Sequence, residues 1–318
     1  MTLETDAIRE TEAAPGTDWR ILDRAALTRA YDNSGAVADS AARLAAWRER
    51  SAALRAAPGH VLDIPYGPHP RNRIDLFACG RADAPLLAFI HGGYWQRNAK
   101  EGFACMALGP LALGLDVALI GYTLAPEASL TRIADEIGAA LCYLRARDEA
   151  AGRPRRRLVV SGWSAGGHLA ALALDRPEAD AALAISGVFD LAPIAGTALD
   201  EALRLTQQEV EELSPIRLAP RPSHGTAAPL VIAYGADELP ELRRQSRAYG
   251  AARARHAGRT EILALAGRDH FSILEELSTP AGILSRLAAD LAHGPVGDAA
   301  PMFADQGAGE VNVRIGDD

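Results

Sequence analysis

Cysteine is scarce: Cys79, Cys105 and Cys142 are three in 318 residues, an odd number set far apart, which excludes a disulfide framework. Their apolar surroundings read as reduced core thiols in a cytoplasmic protein. No pair of cysteines or histidines has metal-ligand spacing, so neither a structural zinc nor any cofactor is expected. No stretch reaches the roughly 18 uninterrupted apolar residues of a spanning helix, and the acidic opening Met1-Thr2-Leu3-Glu4-Thr5-Asp6 lacks the apolar core of a secretion signal. No membrane association is expected. A sustained basic block is missing too: the formal net charge is −8, and the densest cationic run, Arg153-Pro154-Arg155-Arg156-Arg157, is short. Nucleic acid is therefore excluded as a partner. What remains is a small-molecule substrate, with a homodimer compatible with the composition.

The sequence does have ample apolar content, 48% of residues, enough for a sizeable core. Residues 1–58 read as an N-terminal helical segment packed on the main domain, clearest where Leu44, Trp47 and Leu54 share a face. Two strand candidates follow, 60–66 and 73–78, joined by the turn-rich Gly67-Pro68-His69-Pro70-Arg71-Asn72, which predicts an antiparallel hairpin at a sheet edge. The continuous apolar run at 85–90 is of the kind buried on both faces. Strands and helices then alternate: a strand at 116–122, a helix over 130–146, and strands at 158–160, 181–186, 230–234 and 261–264. A last helix carries Ile283, Leu284, Leu287 and Leu291. This order predicts an α/β fold with a mostly parallel central sheet flanked by helices, occupying 59–294. The excursion at 188–228 is expected to form a partial cap over the ligand crevice, and 295–318 a peripheral tail in which Val311–Ile315 could add a short strand.

One element organises the rest. Gly162-Trp163-Ser164-Ala165-Gly166 is a G-x-S-x-G sequence between an apolar strand and the helical run Leu169–Leu174. That context predicts a nucleophile elbow, a sharp turn that exposes the Ser164 hydroxyl at a helix N-terminus. The flanking glycines allow the backbones to approach closely. A serine hydroxyl needs a base within hydrogen-bond reach and a third group to hold that base in the right tautomer. His270, in a loop after the last strand, is the expected base, and Asp237, just past the strand at 230–234, the expected orienting acid. Asp190 is the alternative, whereas Asp269 adjoins His270 in sequence and would struggle to reach round to it. His168 is expected to brace the turn. The glycines of His91-Gly92-Gly93-Tyr94-Trp95 let the chain come close to a developing oxyanion, so the N–H groups of Gly92, Gly93 and Ala165 are the expected oxyanion hole.

With these residues in place, the chain from about Val61 to His293 resembles the α/β-hydrolase superfamily. Within it, His91–Gln96, Gly162–His168, Ile185–Leu191 and Tyr234–Glu241 are similar to the corresponding segments of the kynurenine formamidases (arylformamidases), as is Tyr31-Asp32-Asn33 with Ala36-Val37. The hormone-sensitive-lipase-like esterases typically carry a third glycine where Tyr94 stands and an acidic residue where Trp163 stands, so both positions favour the formamidases. The resemblance implies hydrolysis of N-formyl-L-kynurenine to L-kynurenine and formate without a metal; a carboxylesterase acting on short acyl esters is the alternative. A formyl group needs almost no acyl pocket, while an arylamine needs a flat apolar surface, for which Tyr94, Trp95 and Trp163 are the candidates. Gln96, Arg97 and Asn98 lie near enough in sequence to meet the substrate's amino-acid end.

Overall fold

The computed structural model describes residues 18–219, 228–255 and 259–294. The predicted tail at 295–318 and the loop around Pro220-Arg221-Pro222 lie outside these. The described chain opens with three helices, α1 (Arg24–Ala30), α2 (Asn33–Ala36) and α3 (Ser40–Ala56), followed by strands β1 (Val61–Pro65), β2 (Arg73–Phe77) and β3 (Leu86–Ile90). A 3₁₀ segment (Lys100–Ala107) leads into α4 (Leu108–Ala112) and β4 (Asp116–Ile120), then α5 (Leu130–Ala150), β5 (Leu158–Trp163), α6 (Ala165–Ala173) and β6 (Ala181–Ile185). After the short helices α7 (Ala192–Ala195), α8 (Asp200–Leu203) and α9 (Gln207–Glu212) come β7 (Leu230–Gly235), α10 (Pro240–Arg253), β8 (Thr260–Leu265) and α11 (Ile283–His293).

The eight strands form one sheet in the order β1-β2-β4-β3-β5-β6-β7-β8. β1 and β2 make the expected antiparallel hairpin at one edge, β2 joins β4 antiparallel, and every later pairing is parallel. Strands β3 to β7 are buried at every residue, because helices cover both faces; at the far edge β8 is half-exposed. The two-residue strand period divides the core. Leu86, Ala88, Ile90 and Val160 pack with Ile133, Ile137, Leu141 and Leu144 of α5, whereas Leu87, Phe89 and Val159 face Phe103, Met106 and the α11 leucines. Trp47 of α3 is fully buried in the second layer, with Leu44 and Leu54 packed beside it. Among the described residues no helix is long and apolar enough to cross a membrane.

The excursion between β6 and β7 is fastened to the body by polar contacts. The capping-box residue Glu209 of α9 accepts from Thr206 and also from the N–H and hydroxyl of Thr131 in α5, both at 3.0 Å. Near the hairpin, the chain's single lysine, Lys100, is buried and donates to Asp63 (2.6 Å), Asp75 (2.7 Å) and Glu101 (2.8 Å). Asp75, whose side chain has no exposed surface, also accepts from Arg55 at 2.9 Å.

Candidate active site

Ser164 occupies the turn between β5 and α6 with φ 57° and ψ −118°, a left-handed backbone that costs a non-glycine residue energy and marks a constrained site. The conformation is held from both sides: Ser164 N–H donates to Ile185 O at 2.8 Å, and its carbonyl accepts from His168 N–H at 3.1 Å. The flanking glycines are there for room. A Cβ on Gly162 would run into the Gly166 carbonyl, and one on Gly166 into the Ile90 carbonyl. Ala165 opens α6, so Ser164 stands at a helix N-terminus, where unpaired N–H groups favour negative charge.

On the same sheet edge, His270 follows β8 and its ring Nδ1 lies 3.1 Å from a carboxylate oxygen. That carboxylate is Glu238 Oε2, not Asp237. The turn after β7 leaves Asp237 exposed, with its N–H tied to Arg268 O at 3.0 Å, and points the next side chain inward. The longer glutamate then folds back: Glu238 Oε1 accepts from Gly235 N–H at 2.6 Å and from the Ser186 hydroxyl at 2.5 Å. The expectation for Asp237 is therefore corrected to its neighbour. The alternatives are occupied elsewhere, Asp190 with Ala192 N–H and Arg217, and Asp269 with the N–H groups of Phe271 and Ser272.

Ser164 and His270 are linked through Trp163. The indole N–H donates to the His270 carbonyl at 2.7 Å, and the two rings pack with centroids 5.1 Å apart. Trp163 is nearly buried among Trp47, Phe103 and Phe271, so it positions the site and offers no broad face to a ligand. Trp95 is corrected in the same way: it has no exposed surface and packs edge-on to His168 at 4.9 Å. Tyr94 keeps a small exposed fraction, 8%, but its hydroxyl donates to Tyr31 O (2.7 Å) and accepts from Asn33 (3.0 Å), which docks the N-terminal segment against the loop.

The loop after β3 approaches the serine closely. A Cβ on Gly92 would meet the Ser164 Cβ at 3.0 Å and the Trp163 carbonyl at 2.7 Å, while Gly93 adopts φ +125°. Among the described residues neither Gly92 N–H nor Gly93 N–H has a hydrogen-bond partner. His91 is buried between Tyr122 and Phe103, with ring centroids 4.4 and 5.8 Å away, and burial holds its pKa down at about 4. It is a neutral brace there. His168 is likewise pushed down to about 4 by burial; its Nε2 bonds to the Leu213 carbonyl at 2.7 Å, so it tethers the β6–β7 excursion as well as standing at the turn. Gln96 is spent on Leu199 O and Asn98 on Gly92 O. Sequence reasoning missed Glu238, Ser186 and Tyr122 as parts of this site, and it named Asn98 only for the substrate's amino-acid end, whereas its amide is bonded to Gly92 O. No local signal separates Glu238 from Asp237, because the turn alone decides which carboxylate faces in.

The family model BD-FAE matches residues 74–182. A kynurenine formamidase from Danio rerio is 26% identical over 289 residues, covering 85% of this chain and 97% of the relative. Another from Salmo salar is 29% identical over 73% of this chain and 82% of its own length. The chain is a kynurenine-formamidase-like α/β-hydrolase. Among solved structures, a provisional thioesterase from Silicibacter sp. TM1040 superposes on this α/β-hydrolase with a TM-score of 0.73, at 26% identity over 82% of this chain and 97% of that one. Both comparisons place the chain among hydrolases, and the formamidases align over nearly the whole described region.

Proposed function

We propose that this hydrolase cleaves an aryl formamide, N-formyl-L-kynurenine being the substrate the relatives suggest, through a formyl-enzyme intermediate. The observation that carries the reading is the buried Glu238–His270 contact on the edge where the strained Ser164 turn meets the unpaired N–H groups of Gly92 and Gly93. With Nδ1–H donated to Glu238, Nε2 is left as the acceptor for the serine proton. Ser164 Oγ attacks the formyl carbon and its proton passes to Nε2. The carbonyl electrons move onto oxygen, opposite the N–H groups of Gly92, Gly93 and Ala165. As the C–N bond breaks, His270 returns the proton to the departing arylamine. Water, deprotonated by the same imidazole, then attacks the formyl ester and releases formate and Ser164.

The tightness around Ser164 suits this acyl group. Ser164 is 3% exposed, with Gly92 and Trp163 crowding it, and formyl carries only hydrogen on its carbon. The test compares kcat/KM for N-formylkynurenine with that for short p-nitrophenyl esters and thioesters. A preference for the formamide is expected. Turnover of esters or thioesters alone would establish the esterase reading instead.

A further inference from the structure

Two N–H groups without partners are useful to a developing oxyanion only if their direction is fixed. In a trans peptide the carbonyl and the following N–H point in opposite directions, so whatever anchors the carbonyl aims the N–H. The bonds joining His91 to Gly92 and Gly92 to Gly93 are both trans. Each of their carbonyls is held by side chains outside the loop's own ladder. The buried Tyr122 hydroxyl donates to His91 O at 2.9 Å, which sets Gly92 N–H. Asn98 Nδ2 donates to Gly92 O at 3.1 Å, and His91 Nδ1 lies 2.9 Å from the same oxygen, which sets Gly93 N–H. A single guanidinium joins the two anchors: Arg71, from the β1–β2 turn, donates Nε to Tyr122 O (2.9 Å) and Nη2 to Asn98 O (2.6 Å).

We propose that Asn98 and Tyr122, coupled through Arg71, are positioning residues that aim the Gly93 and Gly92 N–H groups by holding the carbonyls of Gly92 and His91. The backbone supports this reading for Asn98. It sits at φ +73°, a left-handed conformation that asparagine tolerates better than most residues, and that places its amide 2.9 Å from where a Gly93 Cβ would be. With the carbonyls fixed by these donors, each following N–H is held in the opposite direction, which this proposal takes as the direction of the oxyanion. The effect is on the transition state: a ground-state carbonyl oxygen gains little from donors placed for the tetrahedral oxyanion.

The proposal rests on the serine-hydrolase reading, and the experiment separates the two. Asn98→Asp keeps the size and the left-handed tolerance but replaces the donor by an oxygen facing the Gly92 carbonyl. Tyr122→Phe keeps the stack on His91 and removes only the hydroxyl. For each, kcat should fall about 10- to 100-fold, less than the roughly 10²–10³ for outright loss of an oxyanion donor, with KM changed less than about threefold. The inhibition constant of an aryl trifluoromethyl ketone, which forms a tetrahedral adduct on the serine, should rise by the same factor as kcat/KM falls. Affinity for the arylamine product should stay within about twofold. If ketone and product affinities fall together, or if kcat and ketone affinity stay at the parental values, positioning is overturned. Should Tyr122→Phe not fold, Asn98→Asp and Asn98→Gly carry the test. Ser164→Ala is measured in parallel: retained activity there sinks the serine mechanism itself, whatever the two variants do.

Discussion

Glu238→Gln replaces a single oxygen by NH₂ and should all but silence the enzyme. The amide oxygen of glutamine can still accept from Gly235 N–H and the Ser186 hydroxyl, at the positions now 2.6 and 2.5 Å from Oε1. Its NH₂ then replaces the acceptor that faces His270 Nδ1 at 3.1 Å. A donor there forces the imidazole to present the Nδ1 lone pair and to carry its proton on Nε2, where it meets the Ser164 hydroxyl as a donor and cannot act as a base. The wrong tautomer, together with loss of the negative charge that stabilises the imidazolium, should lower kcat by roughly 10³–10⁴, about 4–5 kcal/mol. Asp237→Asn is the control: that carboxylate is exposed and should leave kcat within about twofold. Ser186→Ala removes one of the two donors holding Glu238 and should cost about three- to tenfold. Stopped-flow turnover of the aryl formamide, with near-UV circular dichroism to confirm folding, reads all three. An Asp237→Asn loss beyond a hundredfold with Glu238→Gln near parental activity would refute the assignment.

Ser164→Ala should lower kcat by roughly 10⁴–10⁶ with folding unchanged, and fluorophosphonate labelling of the parental protein should vanish in the variant; continued labelling would put the nucleophile elsewhere. Burial holds the pKa of His91 and His168 down at about 4 in the folded chain, against the ordinary imidazole value of about 6.5, so the unfolded chain binds protons first and stability present above about pH 6.5 is lost as pH falls toward 4. Between pH 7 and pH 5 this is about 2 kcal/mol per histidine, and Asp63, Asp180, Glu209, Asp269 and Glu275, all held below the usual carboxylate range, extend the loss below about pH 4; a urea midpoint unchanged from pH 7 to pH 5 would contradict it. Lys100→Met should destabilise by about 3 kcal/mol, at the low end for a broken buried pair because Arg55 still faces Asp75, and lower Tm by about 5 °C in calorimetry. No change in Tm would mean the cluster contributes nothing net.

The strands that build the site were legible because they are buried on both faces and so read as unbroken apolar runs: Leu86–Ile90, Leu158–Val160 and Leu230–Tyr234 all stand where their composition places them. The elbow was legible for a different reason. Its two glycines answer to backbone carbonyls that leave no space for a Cβ, a constraint visible in any sequence that obeys it. The orienting acid was not legible. Asp237 and Glu238 are adjacent, both acidic and both just beyond β7, and which one turns inward depends on a bond between Glu238 and Gly235 N–H that exists only once the turn has formed. The aromatics misled for a related reason. Trp95 and Trp163 adjoin site residues in sequence, yet each lies in left-handed or strand-end backbone that turns the ring into the core, and a pattern of residue types carries no record of that direction.

Backbone strain gathers where the proposed chemistry is. Of the seven non-glycine residues with positive φ among the described residues, Tyr94, Trp95 and Asn98 follow β3, Ser164 follows β5 and Ser186 follows β6, three neighbouring parallel strands ending on one edge. At about 1–2 kcal/mol each, these five cost about 5–10 kcal/mol, comparable with the whole stability of a typical domain. Such conformations persist only where the surroundings over-determine them. Ser186 shows how the balance is struck. Glycine would adopt φ 50° more easily, but it lacks the hydroxyl that donates to Glu238 at 2.5 Å. A hydrogen bond to a buried carboxylate contributes about 1.5–3 kcal/mol, more than the left-handed conformation costs. The serine therefore holds its strained place through the group it serves: the bond that stabilises the turn after β6 is also the one that fixes the carboxylate facing His270.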